Sequence, residues 1–231
     1  MDEIFTRTAG LIGERGVEKL NDSTVAVVGL GGVGGHAVEA LARSGIGTLL
    51  LFDCDCYTAS NINRQAGALS STIGELKTDV TARRIHDINS KICVEKYPVF
   101  ITPETDFPFE RVDYIIDAID NVTAKLFLAL GAQESGTPII SVMGTGNKLD
   151  PTRLRISDIS ETRECRLCKV MRYECKKRGI KKLDAVWTDE RTKKSPLTEN
   201  GKPVPASMIF VPASAGLLAA SYAVKRILGG K

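Results

Sequence analysis

Between positions 53 and 77 the chain reads DCDCYTASNINRQAGALSSTIGELK. This gathers two carboxylates (Asp53, Asp55), a cluster of polar and cationic side chains (Asn61, Arg64, Gln65) and Lys77 at the start of a helix-like stretch. An arginine and a lysine converging there suit a ligand with several phosphate charges, because both cations pair with phosphate oxygens through charge-assisted hydrogen bonds. Hydride transfer to or from a dinucleotide makes no such demand, whereas a triphosphate does.

Upstream, TVAVVGLGGVGGH (24–36) brings an apolar run to Gly29, Gly31, Gly32 and Gly34 and continues into a helix-like stretch. Gly29 and Gly31 permit a tight turn and close approach to phosphate, with Gly32 beside them, and Gly34 lets the helix pack on the strand. The helix N-terminus adds amide donors and the positive end of its dipole. Asp53 ends the next apolar run, where a carboxylate accepts from ribose hydroxyls; Asp55 competes for that role. These residues define a nucleotide site without deciding between NAD, FAD and ATP.

The elements that must position them alternate. Strands are expected at 24–29, 48–53, 91–100, 113–119 and 137–144, with helices at about 35–44, 75–88 and 122–135 between them. Strands that are apolar throughout, not at every second residue, predict a mostly parallel sheet covered on both faces, hence a Rossmann-like, doubly wound α/β fold. After Gly146 the rhythm changes. NKLDPTRLRISDI reads as a strand pair or turn-strand, ETRECRLCKVMRYECKKRG as a basic helix and KSPLTENGKPVP (194–205) as a loop; SMIFV and a terminal helix then return to the core.

At 231 residues, 43% hydrophobic and 26% charged, the chain is expected to form one domain, 1–231, with a basic insertion at 158–206. The net charge of +3 is uneven: residues 153–194 carry +7, leaving −4 on the rest, which favours a polyanionic partner. The acidic N-terminus lacks a secretory core, so the cytoplasm is expected. Ala206–Val224 is uncharged but broken by Pro212, and reads as a buried strand and core helix with no stable membrane insertion. Cys165 and Cys168, with Cys175 nearby, lack a convincing fourth zinc ligand and read as cysteines on a helix face or partly buried.

GLGGVG, LFDCD, SNINRQ, GELK and DAIDN, in this order over about residues 7–146, resemble the adenylating enzymes related to ubiquitin activation, the MoeB, ThiF and HesA group. The resemblance implies ATP as the nucleotide, held by the glycine loop, with Asp53 on its ribose and Asp55 remaining the competing candidate. Asn61, Arg64, Gln65 and Lys77 would lie along the phosphates, and Asp120 and Asn121 of DAIDN beside them. It gives Arg64, Lys77, Asp120 and Arg7 catalytic parts. Asp120 would hold Mg²⁺, as suits a hard carboxylate at a strand's carboxyl end. Arg7 would reach a neighbouring subunit's site, implying a homodimer.

RTAGLIGERGVEKL, the NINRQ stretch, GNKLDPTRLRISDI and the basic segment are most similar to the tRNA threonylcarbamoyladenosine dehydratase branch of that group. That branch adenylates the carboxylate of a threonylcarbamoyl group on tRNA, which then cyclises with loss of AMP. No protein nucleophile is obligatory, and no cysteine follows Cys175. Arg163, Arg166, Lys169, Arg172 and their neighbours would then face tRNA phosphates, with Tyr173 or Trp187 available to stack a base and packing the favoured role for Trp187. The other reading is an activating enzyme for a ubiquitin-like or sulfur-carrier protein ending in Gly-Gly, with a carrier-protein or sulfur-transfer partner in place of tRNA.

Overall fold

A computed structural model describes residues 2–193, 195–199 and 202–230. Its centre is a seven-stranded sheet in the order β3-β2-β1-β4-β5-β7-β6. The strands are β1 (Thr24–Val28), β2 (Thr48–Phe52), β3 (Cys93–Tyr97), β4 (Tyr114–Asp117), β5 (Ile139–Val142), β6 (Leu154–Asp158) and β7 (Asp184–Thr188). All neighbours run parallel except β6, an antiparallel edge on β7. The central strands are buried on both faces, as their unbroken apolar runs require.

Among the described residues seven α-helices accompany the sheet: α1 (Thr6–Ile12), α2 (Glu14–Asn21), α3 (Gly34–Ser44), α4 (Lys77–Ile88), α5 (Val122–Ser135), α6 (Arg166–Lys177) and α7 (Phe210–Ile227). One core holds α3, α4 and α7 against one face; a second, rich in aromatic residues, lies with α5 against the other. The small-residue face of α7 (Ala215, Gly216, Ala219, Ala223) lets it press on α3. A Cβ on Gly216 would come within 2.2 Å of the Val33 carbonyl oxygen, so that approach excludes any side chain.

Three expectations are corrected. SMIFV (207–211) forms no strand: Phe210 starts α7, with Pro212 in its first turn, where the missing N–H costs no intrahelical bond. Met208, Ile209 and Phe210 are exposed, so their apolar character faces outward. The basic segment 158–206 contains β7, an interior strand of the main sheet, whose DAVWT run is hidden in sequence by its charged flanks. The composition-defined loop 194–205 holds a short hairpin, β8 (Thr198–Glu199) with β9 (Lys202–Pro203); positions 194, 200 and 201 lie outside the described residues.

Of the two readings of 147–159, strand pair or turn-strand, the turn-strand is the one found. A 3₁₀ turn at Pro151–Arg153 leads into β6, which pairs with β7. Among the described residues no helix is long and apolar enough to cross a membrane.

Candidate nucleotide-binding cleft

The carboxyl ends of β1, β2, β4 and β5 open into a cleft of about 850 Å³. The glycine loop after β1 forms its floor. Gly29 adopts φ +89°, a left-handed conformation natural to glycine, and a Cβ there would meet the Ala118 carbonyl oxygen at 2.9 Å. Gly34 packs so closely that a Cβ would sit 1.7 Å from the Gly29 carbonyl oxygen, so it serves the loop itself more than the strand. Gly31 meets nothing closer than 3.8 Å and lines the cleft with Gly29 and Gly32.

Asp53 locks this loop. Its Oδ2 accepts the Leu30 N–H at 2.7 Å and its Oδ1 the Asp55 N–H at 2.9 Å, leaving spare lone pairs toward the cleft. The Lys77 ammonium, nearly buried, lies 2.8 Å from Asp55 Oδ2 and 3.5 Å from Asp53 Oδ1. Burial alone would lower the Lys77 pKa, but the two carboxylates outweigh it and hold it above the ordinary lysine value. The hydrogen bond from Lys77 in turn holds the Asp55 carboxyl below its usual range. Lys77 therefore begins as the counter-charge of two acids, and only a strongly anionic ligand competes for its donors.

The segment 54–76 wraps around buried Tyr57, tied by a bridge between Cys56 and Leu76. Asn61 caps its own turn, with Oδ1 accepting the Thr58 N–H at 3.2 Å. Arg64 reaches the cleft with Nη1 donating to the Ser60 carbonyl and Asn63 Oδ1, both at 2.8 Å. Among the described residues no carboxylate pairs with it, which leaves its charge available. Gln65 is buried with Oε1 lacking a donor, an acceptor aimed among cleft residues.

Across the cleft, Asn121 caps α5, its Oδ1 accepting the Ala124 N–H at 3.0 Å. That spares Asp120, the other acid at this helix start, which stays exposed on the cleft wall. Beneath them, wholly buried Lys125 donates to Asp117 Oδ2 (3.0 Å), Ser141 Oγ (3.1 Å) and the Val142 carbonyl (2.8 Å). This pair ties the ends of β4 and β5 under the loop that carries Asp120.

Of the expected site residues, those from Gly29 to Gly32 and from Asp53 to Asn121 line this one cleft; Gly34 supports it from behind. Arg7 does not reach it, being exposed on α1. Sequence reasoning missed Val99, Phe100 and Ile101 after β3, the Gly144–Gly146 loop, and Leu167, Pro205 and Ser207, brought in from distant segments. It also missed Lys125, although Asp117 in the apolar run DYIID signalled that a buried cation was needed. The six cysteines are free: Cys168 and Cys175 lie on the buried face of α6 and Cys165 at its start. Trp187 packs in the core with Nε1 donating to Ser157 Oγ at 3.0 Å, while Tyr173 is exposed.

A glycine loop at the carboxyl edge of a parallel sheet, with a carboxylate ending the second strand and cations facing it, defines a nucleotide-binding protein of the Rossmann-like class. The chain belongs to the ThiF family, whose profile matches residues 5–231. It is 41% identical to the tRNA threonylcarbamoyladenosine dehydratase of Bacillus subtilis over 97% of this chain and 94% of that protein. It is also similar to the crystal structure of Escherichia coli tRNA N6-threonylcarbamoyladenosine dehydratase, TcdA, in complex with AMP. There the TM-score is 0.91 at 32% identity, covering 98% of this chain and 94% of that one. The same enzyme in complex with ATP gives 0.87 over the same shares.

Proposed function

We propose that this protein is an ATP-dependent tRNA threonylcarbamoyladenosine dehydratase. The observation that carries the reading is near-full-length similarity to such dehydratases, combined with a cleft whose residues suit a nucleoside triphosphate. The substrate carboxylate attacks the α-phosphate and pyrophosphate leaves. A nitrogen of the threonylcarbamoyl group then attacks the activated carbonyl and AMP leaves, so the nucleoside loses one water overall.

The chain's own residues orient and stabilise. The glycine loop and the N-terminus of α3 seat the phosphates, Asp53 and Gln65 accept from ligand hydroxyls, and Asn61, Arg64 and Lys77 offset charge that grows as the α-phosphate is attacked. Preorganised donors of this kind contribute roughly 10²–10³ in rate each. Asp120, a hard carboxylate with no partner among the described residues, fits Mg²⁺, which when bound would neutralise phosphate charge. Arg7 acts in a neighbouring subunit's cleft. Exposed Ile62, Met208, Ile209 and Phe210, drawn together where Asn63 Nδ2 donates to the Ser207 carbonyl at 2.8 Å, favour a homodimer.

Arg166, Lys169, Tyr173 and Lys176 follow at helical spacing on the exposed side of α6, while Leu167 lines the cleft. This supports tRNA lying along α6 with its modified base entering beside Leu167, in the cytoplasm. ATP–pyrophosphate exchange tests the reading. It should depend on tRNA bearing threonylcarbamoyladenosine; exchange dependent instead on a carrier protein ending in Gly-Gly overturns it.

A further inference from the structure

Behind the Gly144 wall of the cleft lies a pair of thiols that adenylation does not use. Cys165 is the N-cap of α6 and Cys168 stands three residues on. The Cys168 N–H donates to Cys165 Sγ at 3.5 Å, and Gly144 lies beside that sulfur, where an added Cβ would stand 3.8 Å from it. Lys148 is only 4% exposed, its Nζ donates to the Gly144 carbonyl at 2.9 Å, and no carboxylate among the described residues pairs with it. A buried ammonium without a counter-charge is costly, and a Cys165 thiolate supplies one.

The two sulfurs are driven apart in character. Hydrogen bonds from Cys168, together with the Lys148 charge, hold the Cys165 thiol well below its ordinary pKa, although burial opposes them. The hydrogen bond to Cys165 and burial hold Cys168 well above its own. This contrast, with the two residues three apart at the start of α6, suits one sulfur to attack and the other to resolve. Glu164, immediately before the pair, sits at φ +53°, a left-handed conformation that is rare away from glycine and clusters at functional turns.

We propose that Cys165 and Cys168 form a redox-modification site for hydrogen peroxide. The Cys165 thiolate attacks one peroxide oxygen, the O–O bond breaks, hydroxide leaves and Cys165 becomes a sulfenic acid. The Cys168 sulfur then displaces the sulfenic oxygen as water, forming the disulfide. Two protein thiols are oxidised and one peroxide is reduced to two waters. Cys165 keeps about a twelfth of its surface open, enough for a reactant of this size but not for a protein thiol. The disulfide reports to the cleft because Gly144 and Leu167, which flank the pair, both line it. That consequence rests on the cleft being the ATP site; the oxidation does not.

Trypsin supplies the readout, since cleavage after Arg163, Arg166 and Lys169 separates Glu164–Arg166 from Leu167–Lys169. The full chain is treated with limiting hydrogen peroxide, alkylated and digested without reductant. The two tripeptides should appear joined, reversibly by dithiothreitol, before exposed Cys54, Cys56 and Cys93 are consumed. In Cys168→Ser a sulfenic acid should accumulate on Cys165, trapped by dimedone. Lys148→Met should slow wild-type oxidation about tenfold at neutral pH. Oxidation of the exposed cysteines with the tripeptides still reduced overturns the site. A joined pair with unchanged ATP affinity overturns its link to the cleft.

Discussion

Replacing Lys125 with Met keeps the length of the buried stem and removes its charge. Asp117 is then left wholly buried, with Ser141 Oγ at 2.5 Å and no cation, and the Val142 carbonyl loses its donor. Breaking one side of such a pair costs about 3–5 kcal/mol, and for a chain of this size each kcal/mol lowers Tm by about 2–4 °C. The expected fall is therefore about 6–20 °C in thermal unfolding followed by circular dichroism. Because Asp117 Oδ1 also accepts the Ile119 N–H at 3.3 Å, the loop bearing Asp120 should loosen and ATP affinity fall with stability. Adding Asp117→Asn removes the stranded charge and should restore part of the loss. A fall under about 2 °C would show that the pair contributes little. A double variant no better than the single would locate the penalty in packing.

Other consequences follow from the same geometry. Gly34→Ala puts a methyl 1.7 Å from the Gly29 carbonyl oxygen, so the loop must move by more than an ångström; ATP affinity by calorimetry should fall at least about tenfold. Because Cys165 has a depressed pKa when folded, the unfolded chain binds more protons between the folded and unfolded values. The stability it lends is present above the unfolded value and lost as pH falls through the folded one. The deficit of Cys165→Ser in urea midpoint should thus grow from about pH 5 to about pH 9. In the proposed homodimer, Phe210→Asp on the exposed apolar patch should give a monomer in light scattering while the far-ultraviolet circular dichroism spectrum stays that of the folded chain.

The strands and helices of the first half are legible because a buried parallel strand leaves an unbroken apolar run and its neighbours leave a helical period. β7 is not: DAVWT is short and lies between Lys181-Lys182 and Asp189-Glu190, so composition assigns it to the surface. SMIFV misleads in the opposite direction, because apolar residues facing outward carry the same letters as a core strand. The cleft is legible where chemistry is local, as in the glycine loop, Asn61–Gln65 and Asp120. Its wall at Leu167, Pro205 and Ser207 depends on long-range packing, and those residue types announce no chemistry. Asn121 also shows how a motif residue can be claimed by the backbone, since its amide caps α5 and leaves Asp120 to face the cleft.

Dehydration of the tRNA is read on the nucleoside itself. The protein is incubated with ATP, Mg²⁺ and tRNA bearing threonylcarbamoyladenosine, and the digested nucleosides are weighed by mass spectrometry. Threonylcarbamoyladenosine should lose one water, dependent on ATP, and should stay intact with a folded Arg64→Ala variant. An unaltered nucleoside with ATP and tRNA both bound would rule out the dehydratase reading, and full conversion by Arg64→Ala would rule out the role given to Arg64.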